Sequence, residues 1–361
     1  MNNQINRKPL ILAIDTSCDD TSVAVLQGRN ILSNVVSSQV ELHKKWGGVM
    51  PTVAKLAHIE NIEPCYKEAL KRAGKNIEDI EYIAVTFGPG LAIALEVGLQ
   101  FAKDICKKYD IPLVAINHME GHLLSSLSLN SAGNGNVSDE ELPFLFPALG
   151  IIVSGKNTEL VIVKDFCEYE QIGWTLDDAA GECFDKVGRM LNLGYPGGPV
   201  ISELAKEGSD KLMEKIHLPI PLKNTKDYNF SFSGLKTACL YGIEKLRAQC
   251  ASDNEWVNDF CFAFVETVVR TIENKTERAL KNYPEIRTII IGGGVINNEK
   301  LCIRLGLLAK KYGKAHYVPD VTLRSDNGAM IGVATFFNIL KGHVLKNKQI
   351  EKIDRDPVVE I

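Results

Sequence analysis

The sequence predicts a two-lobed α/β protein whose halves repeat one another, and three observations predict it. The chain has 361 residues, more than the ~250–300 at which a single hydrophobic core stops growing. Apolar runs of strand length are interleaved with long helical patterns, as in sheets layered with helices. The segment Leu12 to Leu26, LAIDTSCDDTSVAVL, also superposes without a gap on Leu149 to Val163, LGIIVSGKNTELVIV. Leu12 meets Leu149, Ser17 meets Ser154 and Thr21 meets Thr158, so each copy reads as strand, polar turn, strand.

In chain order, β-rich apolar runs predict strands at Leu10 to Ile14, Ser22 to Leu26, Tyr82 to Val85, Leu113 to Ile116, Leu149 to Val153, Leu160 to Val163 and Thr288 to Ile291. Helical spacing predicts helices at Pro51 to Arg72, Ala92 to Tyr109, His118 to Leu127, Asp178 to Leu191 and Gly198 to Glu207. It predicts four more at Gly234 to Arg247, Trp256 to Asn282, Asn297 to Tyr312 and Asn327 to Leu340. Asn130 to Glu141, NSAGNGNVSDEE, has no apolar period and reads as a loop or inter-lobe linker. The expected organisation is an N-terminal lobe of residues 1–130 plus about 320–361, a linker at 131–145, and a C-terminal lobe at 146–319. The charged tail from Lys346 reads as a surface strap or frayed end.

Hydrophobic residues make up 45% and charged residues 24% of the chain, ordinary for a soluble globular protein. No run approaches the ~18 apolar residues of a membrane span. The eight residues before the first strand-like run, Pro9 to Ile14, leave no apolar core for a signal peptide, so the expectation is a mature chain starting at or near Met1. Nine cysteines without a C-x-x-C pair read as reduced thiols in a cytoplasm. A net charge of −4 argues against unaided binding to a polyanion. A nucleic-acid substrate would need a helper subunit or a local basic patch, and the candidates are His43 to Lys45, Lys71 to Lys75 and Lys211 to Lys226.

Several turns can carry chemistry. Asp15 to Ser22 sets hydroxyls, backbone N–H groups and three carboxylates between two strands, which suits a metal-bound phosphate. Its repeat, Val153-Ser154-Gly155-Lys156-Asn157-Thr158, is a second phosphate clamp, and Gly292-Gly293-Gly294 after a strand lets backbone approach a base or ribose. Together they point to an adenine-nucleotide-like ligand in a cleft. His118 and His122 are spaced i, i+4, roughly 40° apart around a helix, so both can face one ion. Glu120 sits two positions after His118, unlike the H-E-x-x-H pattern, and Asp326 at the Asp326-Asn327-Gly328-Ala329 helix start is the best third ligand. Asp185, in the acidic stretch from Asp177, is the expected functional carboxylate.

In order, Asp15 to Ser22, Gly47 to Pro51, Gly88-Pro89-Gly90, His118 to His122, Val153 to Thr158, Asp177 to Asp185, Tyr195 to Pro199, Phe230 to Lys236, Gly292 to Asn298 and Asp326 to Met330 closely resemble one family. It is the tRNA threonylcarbamoyltransferase family, and the resemblance runs from about Ile11 to Ile339. It implies an actin/sugar-kinase/heat-shock-ATPase-like fold, duplicated halves around a nucleotide cleft. It implies transfer of threonylcarbamoyl from threonylcarbamoyl-AMP to the exocyclic amine of adenosine 37 in tRNAs reading codons that begin with A. His118, His122 and Asp326 match the family's metal ligands, for iron first and zinc second, with magnesium accompanying an ATP-like ligand. Val153, Ser154, Gly155, Asp185, Gly198 and Asn298 match its substrate-binding positions, and Ile152 and Lys156 sit at the edges of that substrate loop.

One departure stands out: the family usually reads Ser-Gly-Gly-His-Thr where this chain has Ser154-Gly155-Lys156-Asn157-Thr158. Lys156 adds bulk but can pair with phosphate as a point charge. The implied partners are tRNA, a threonylcarbamoyl-AMP synthase, a smaller paralogous subunit and a P-loop ATPase, with no membrane. The rival readings are a metal-dependent peptidase, disfavoured by the missing Glu beside His118, an ATPase or kinase of the same fold, and a non-catalytic scaffold.

Overall fold

The computed structural model describes residues 8–249 and 256–361. The start of the chain and Cys250 lie outside the described residues, and the eight other cysteines are free thiols. The chain forms two compact units: Met1–Phe146 with Val163–Tyr169 and Tyr317–Ile361, and Pro147–Ile162 with Glu170–His316.

In the first unit the described residues form a five-stranded sheet ordered β3-β2-β1-β4-β5. β1 (Leu10–Asp15) runs antiparallel to β2 (Asp20–Gln27), which pairs antiparallel with β3 (Asn30–Ser38). β4 (Tyr82–Gly88) and β5 (Leu113–Asn117) extend the sheet in parallel. Helix α1 (Val40–Lys44) is a short connection to α2 (Pro51–Ala73), which starts with proline in its first turn and ends on Gly74 in the left-handed conformation. Leu12, Ile14, Val23 and Val25 share a core with residues of α2 and of α3 (Ala92–Tyr109), including Ile62, Ala69, Leu99 and Ala102. Helix α4 (His118–Leu124) follows β5 directly.

The opposite sheet face packs so closely that a Cβ on Gly332 would lie 2.1 Å from Leu26 Cδ1. With both faces covered, every residue of β1 is buried, which is why it reads as a continuous apolar run. Gly332 belongs to a helix near the C-terminus (Gly328–Lys341), the tenth among the described residues.

The second unit repeats the plan. β6 (Ala148–Val153), β7 (Thr158–Asp165), β8 (Glu168–Trp174), β9 (Thr288–Gly292) and β10 (Ala315–Tyr317) lie in the order β10-β9-β6-β7-β8, with β6 parallel to β9. Strand for strand this is the order of the first sheet, so the duplication read from the two hairpins extends over five strands in each half. Helices α5 (Ala180–Met190), α6 (Gly197–Glu207), α7 (Ser233–Gln249), α8 (Trp256–Asn282) and α9 (Glu299–Lys311) complete this unit. Gly328–Lys341 is α10, and Lys348–Lys352 is α11.

The polar stretch after Leu129 is folded into the first unit as far as Phe146. Arg29, 1% exposed, donates to the carbonyls of Leu127 and Val137 and to Asp139. The tail is a strap: Asp356 N donates to Phe87 O (2.8 Å), Gly90 N to Pro357 O (3.2 Å), and Asn117 Nδ2 to Glu360 O (3.0 Å).

Candidate metal centre and ligand turns

Asn117 ends β5 and caps α4, its side chain accepting from Met119 N (2.8 Å) and Glu120 N (3.4 Å). This cap sets His118 and His122 one turn apart on the same face. Gly121 packs against α10, where a Cβ would meet Ile331 Cδ1 at 2.9 Å. Asn327 caps α10 by accepting from Met330 N at 3.0 Å, and Asp326 immediately precedes it.

The close helix pair thereby brings Asp326 Oδ1 to 3.1 Å from His122 Nε2 and 3.4 Å from His118 Nε2. One ligand atom from each residue lies within 4.8 Å of the others. His118 is 7% and His122 1% exposed, yet both His122 nitrogens lack an aligned hydrogen-bond partner. Buried polar nitrogens are rarely left so, and convergence of two imidazoles and a carboxylate matches the donor set of a divalent transition metal. The residues fit such an ion.

Behind the triad, Asp15 Oδ1 stands 3.4 Å from His118 Nδ1 without hydrogen-bond alignment. Asp15 is itself held by Thr86 Oγ1 (2.6 Å) and Ser17 Oγ (3.2 Å). Burial disfavours the His118 imidazolium, but the carboxylates of Asp15 and Asp326 together outweigh it and push His118 up to about 10. Burial likewise opposes the Asp326 charge, and the two imidazoles hold it well below the usual carboxylate range. The field is built to concentrate positive charge here. Glu120 points elsewhere, accepting from Tyr169 OH (2.8 Å) and Asn338 Nδ2 (3.0 Å).

The turn Asp15 to Ser22 is braced by His58 of α2, whose ring contacts Thr21 Oγ1 (2.8 Å) and Cys18 O (3.0 Å). Burial lowers the His58 pKa, so the ring stays neutral, accepting from the Thr21 hydroxyl and donating to the carbonyl. Sequence reasoning missed the roles of His58 and Thr86. Neither has a local signal, because one histidine in a helix and one threonine in a buried strand look like core.

In the second unit, Ile152 and Val153 are buried at the end of β6, and Ser154 N and Oγ bond across the turn to Asn157. Gly155 and Lys156 are exposed at its tip, and Lys156 has no ion-pair partner among the described residues. A Cβ on Gly181 would fall 2.7 Å from Gly155 Cα, and one on Gly293, at φ 97°, 2.4 Å from Val153 O. Asp185, half-buried, accepts from Gly197 N (2.8 Å) and Gly198 N (3.4 Å). Gly198 O accepts from Ser202 Oγ (2.8 Å), which in turn accepts from Asn298 Nδ2 (2.9 Å). The expected ligand residues of this half therefore form two connected groups, Val153 to Lys156 with Gly181 and Gly293, and Asp185 with Gly198 and Asn298. The helix expected from Asp178 begins at Ala180 because its acids are used elsewhere. Asp177 accepts from Ser231, Phe232 and Ser233, and Asp178 from Lys186 and Lys236.

The duplicated five-stranded α/β plan is a fold of the actin, sugar-kinase and heat-shock-ATPase type, and in this chain it carries a His₂Asp cluster as a candidate metal centre. Solved structures agree on the fold. Component A of Acidaminococcus fermentans (R)-2-hydroxyglutaryl-CoA dehydratase has a TM-score of 0.52 at 12% identity over 92% of this chain and 99% of that one. HypF of T. kodakarensis reaches 0.57 at 13% identity, over 95% of this chain and 49% of its own.

The chain belongs to the tRNA N6-adenosine threonylcarbamoyltransferase (TsaD) family, which its sequence matches over residues 30–333. It is 43% identical over 334 residues to the tRNA N6-adenosine threonylcarbamoyltransferase of Clostridioides difficile, covering 92% of this chain and 94% of that protein. It is 44% identical over 336 residues to that of Thermodesulfovibrio yellowstonii, covering 93% and 96%. No helix among the described residues is long and apolar enough to cross a membrane.

Proposed function

We infer that this chain is the transferase that moves threonylcarbamoyl from threonylcarbamoyl-AMP to N6 of adenosine 37 in tRNAs reading codons that begin with A. The convergence of His118, His122 and Asp326 in a chain of this family carries the reading. In the reaction the adenine amine attacks the carbamoyl carbon, the carbon–oxygen bond to the phosphate of AMP breaks, and the amine gives up a proton.

His118, His122 and Asp326 would hold one divalent ion, iron or zinc, which would supply Lewis-acid polarisation of the carbamoyl carbonyl. Asp15 orients His118, as carboxylates behind metal-bound histidines do. In the second unit, Ser154 and the backbone at Gly155 are the phosphate-binding turn, and the Lys156 ammonium adds a point charge for the departing phosphate. Asp185 fixes the backbone of Gly197 and Gly198, while Asn298 is tied to the same helix through Ser202. A threonylcarbamoyl-AMP synthase supplies the donor, and a smaller paralogue and a P-loop ATPase are the expected helpers.

The test is transfer by wild type and His118→Ala with unmodified tRNA, donor and helpers, alongside bound-metal analysis. The reading predicts loss of both metal and transfer with the fold retained. Wild-type transfer by the variant would sink the metal assignment.

A further inference from the structure

The chain carries a net charge of −4, so a polyanionic substrate needs a local basic surface. The structure sorts the three candidate patches. In the first, His43 is buried, Lys44 pairs with Glu41 at 2.5 Å, and Lys45 lies over the Trp46 ring. In the second, Lys71 and Arg72 share Glu68. Among these basic groups the Lys75 side chain alone has no partner among the described residues.

The third patch is different. Lys211, Lys215, Lys223 and Lys226 are all exposed, and none has an ion-pair partner among the described residues. Between positions 211 and 226 they face one carboxylate in the sequence, Glu214. Elsewhere in the same unit lysines are commonly paired, as Lys186 is with Asp178 and Glu182, Lys236 with Asp178, and Lys300 with Glu266.

This basic segment is also pinned along α8. At one end Ser209 N donates to Asp259 Oδ1 (2.7 Å). At the other, Lys275, with a side chain only 2% exposed, donates to Thr225 Oγ1 (2.8 Å), Asp227 O (3.1 Å) and Asp227 Oδ1 (3.1 Å). Arg278 donates to the carbonyls of Lys223 (3.0 Å), Thr225 and Asp227 (2.9 Å). Burying an ammonium is unfavourable unless its bonds are made, and here those bonds serve to fix the path of an exposed loop. Asp227, the acid nearest in sequence to Lys223 and Lys226, is taken by Lys275. From Asp259 to Lys275 the helix rises ~24 Å, long enough to follow several successive phosphates of one strand.

We propose that Lys211, Lys215, Lys223 and Lys226, held along α8 by Asp259, Lys275 and Arg278, form a phosphate-tracking surface that docks the tRNA backbone. The proposal rests on the transferase reading and names the surface through which an acidic chain engages its nucleic acid. Phosphate contacts position without reading sequence, so the surface contributes affinity common to all substrate tRNAs.

The test compares wild type, the quadruple Lys→Ala variant and the quadruple Lys→Arg variant, each as the full chain with its helper proteins. Affinity for unmodified tRNA is measured across salt concentrations, together with affinity for threonylcarbamoyl-AMP and bound metal. The alanine variant should bind tRNA at least about tenfold more weakly, with a log–log salt slope shallower by about 3. Its donor affinity and metal content should stay unchanged, and the arginine variant should bind tRNA like wild type. Unchanged tRNA affinity and slope in the alanine variant overturn the surface while leaving the transferase reading intact. The same result with loss of a helper subunit overturns it in favour of an acidic protein partner. Wild-type protein that neither binds nor modifies tRNA overturns the transferase reading and this surface with it.

Discussion

Replacing Asp15 with Asn isolates the part played by a carboxylate that never needs to touch the metal. Asp15 Oδ1 lies 3.4 Å from His118 Nδ1 and is fully buried. Asn preserves the shape and can still accept from Thr86 Oγ1, now at 2.6 Å from Oδ1, so the cost to the fold is small. What disappears is the negative charge that orients the ring and strengthens its other nitrogen as a ligand. Losing such a partner typically weakens metal affinity 10–100-fold, about 1.4–2.7 kcal/mol at 1.4 kcal/mol per tenfold. Competition against a calibrated chelator, with zinc as the probe ion, measures it directly. Circular dichroism and thermal unfolding of the metal-free protein check that the fold is retained. A folded Asp15→Asn protein binding zinc within twofold of wild type would refute the positioning role.

Asp139→Asn removes the charged partner of buried Arg29 and should cost about 1–3 kcal/mol at pH 7, read by denaturant unfolding. Burial opposes the Asp139 charge, but Arg29 outweighs it and lowers the pKa. The pair's contribution is therefore present above the ordinary value of 3.8 and fades as pH falls through the folded value, so the two proteins should converge in stability toward acid. A constant gap down to the acid limit would contradict the assignment. Gly181→Ala places a Cβ 2.7 Å from Gly155 Cα and Ser154 O, contacts that backbone atoms cannot relieve cheaply. Donor affinity should drop about tenfold, within the 1–3 kcal/mol range of overpacking, while metal content stays at the wild-type level. Unchanged donor affinity in isothermal titration would remove the Ser154 turn from the donor site.

Legibility in the sequence followed burial. β1, β4, β6 and β9 lie inside their sheets and are nearly all apolar, so composition alone marked them. β3 and β8 went unread because their sequences, NILSNVVSS and EYEQIGW, are largely polar and only partly buried, whereas β5, also at a sheet end, is apolar and was read. β10 is three residues long and carries no period. The duplication was visible in the sequence only in the two hairpins, Leu12 to Leu26 and Leu149 to Val163.

The site followed a similar logic. His118 and His122 are close in sequence because one helical turn joins them, so spacing found the pair. Asp326 reaches them because α4 and α10 pack closely at Gly121, a long-range contact that the helix-start motif hinted at and the family resemblance named. The contacts of Asp15 with His118, of Thr86 with Asp15, and of Lys275 with Asp227 join residues far apart in the chain. No local pattern encodes them. The Lys211 to Lys226 patch was readable as charge, but only pairing distances separated it from the two in which most basic groups have a partner.

The most direct test of the central claim is nucleoside analysis of unmodified tRNA after incubation with labelled threonine, ATP, bicarbonate, the synthase, the helpers and this chain. The reactions are run as purified, after chelation, and after metal is restored. The account predicts labelled threonylcarbamoyl on the adenosine at position 37, lost on chelation and regained with metal. Absence of label from folded, metal-loaded protein with every helper present would contradict it, as would full labelling by protein stripped of its metal.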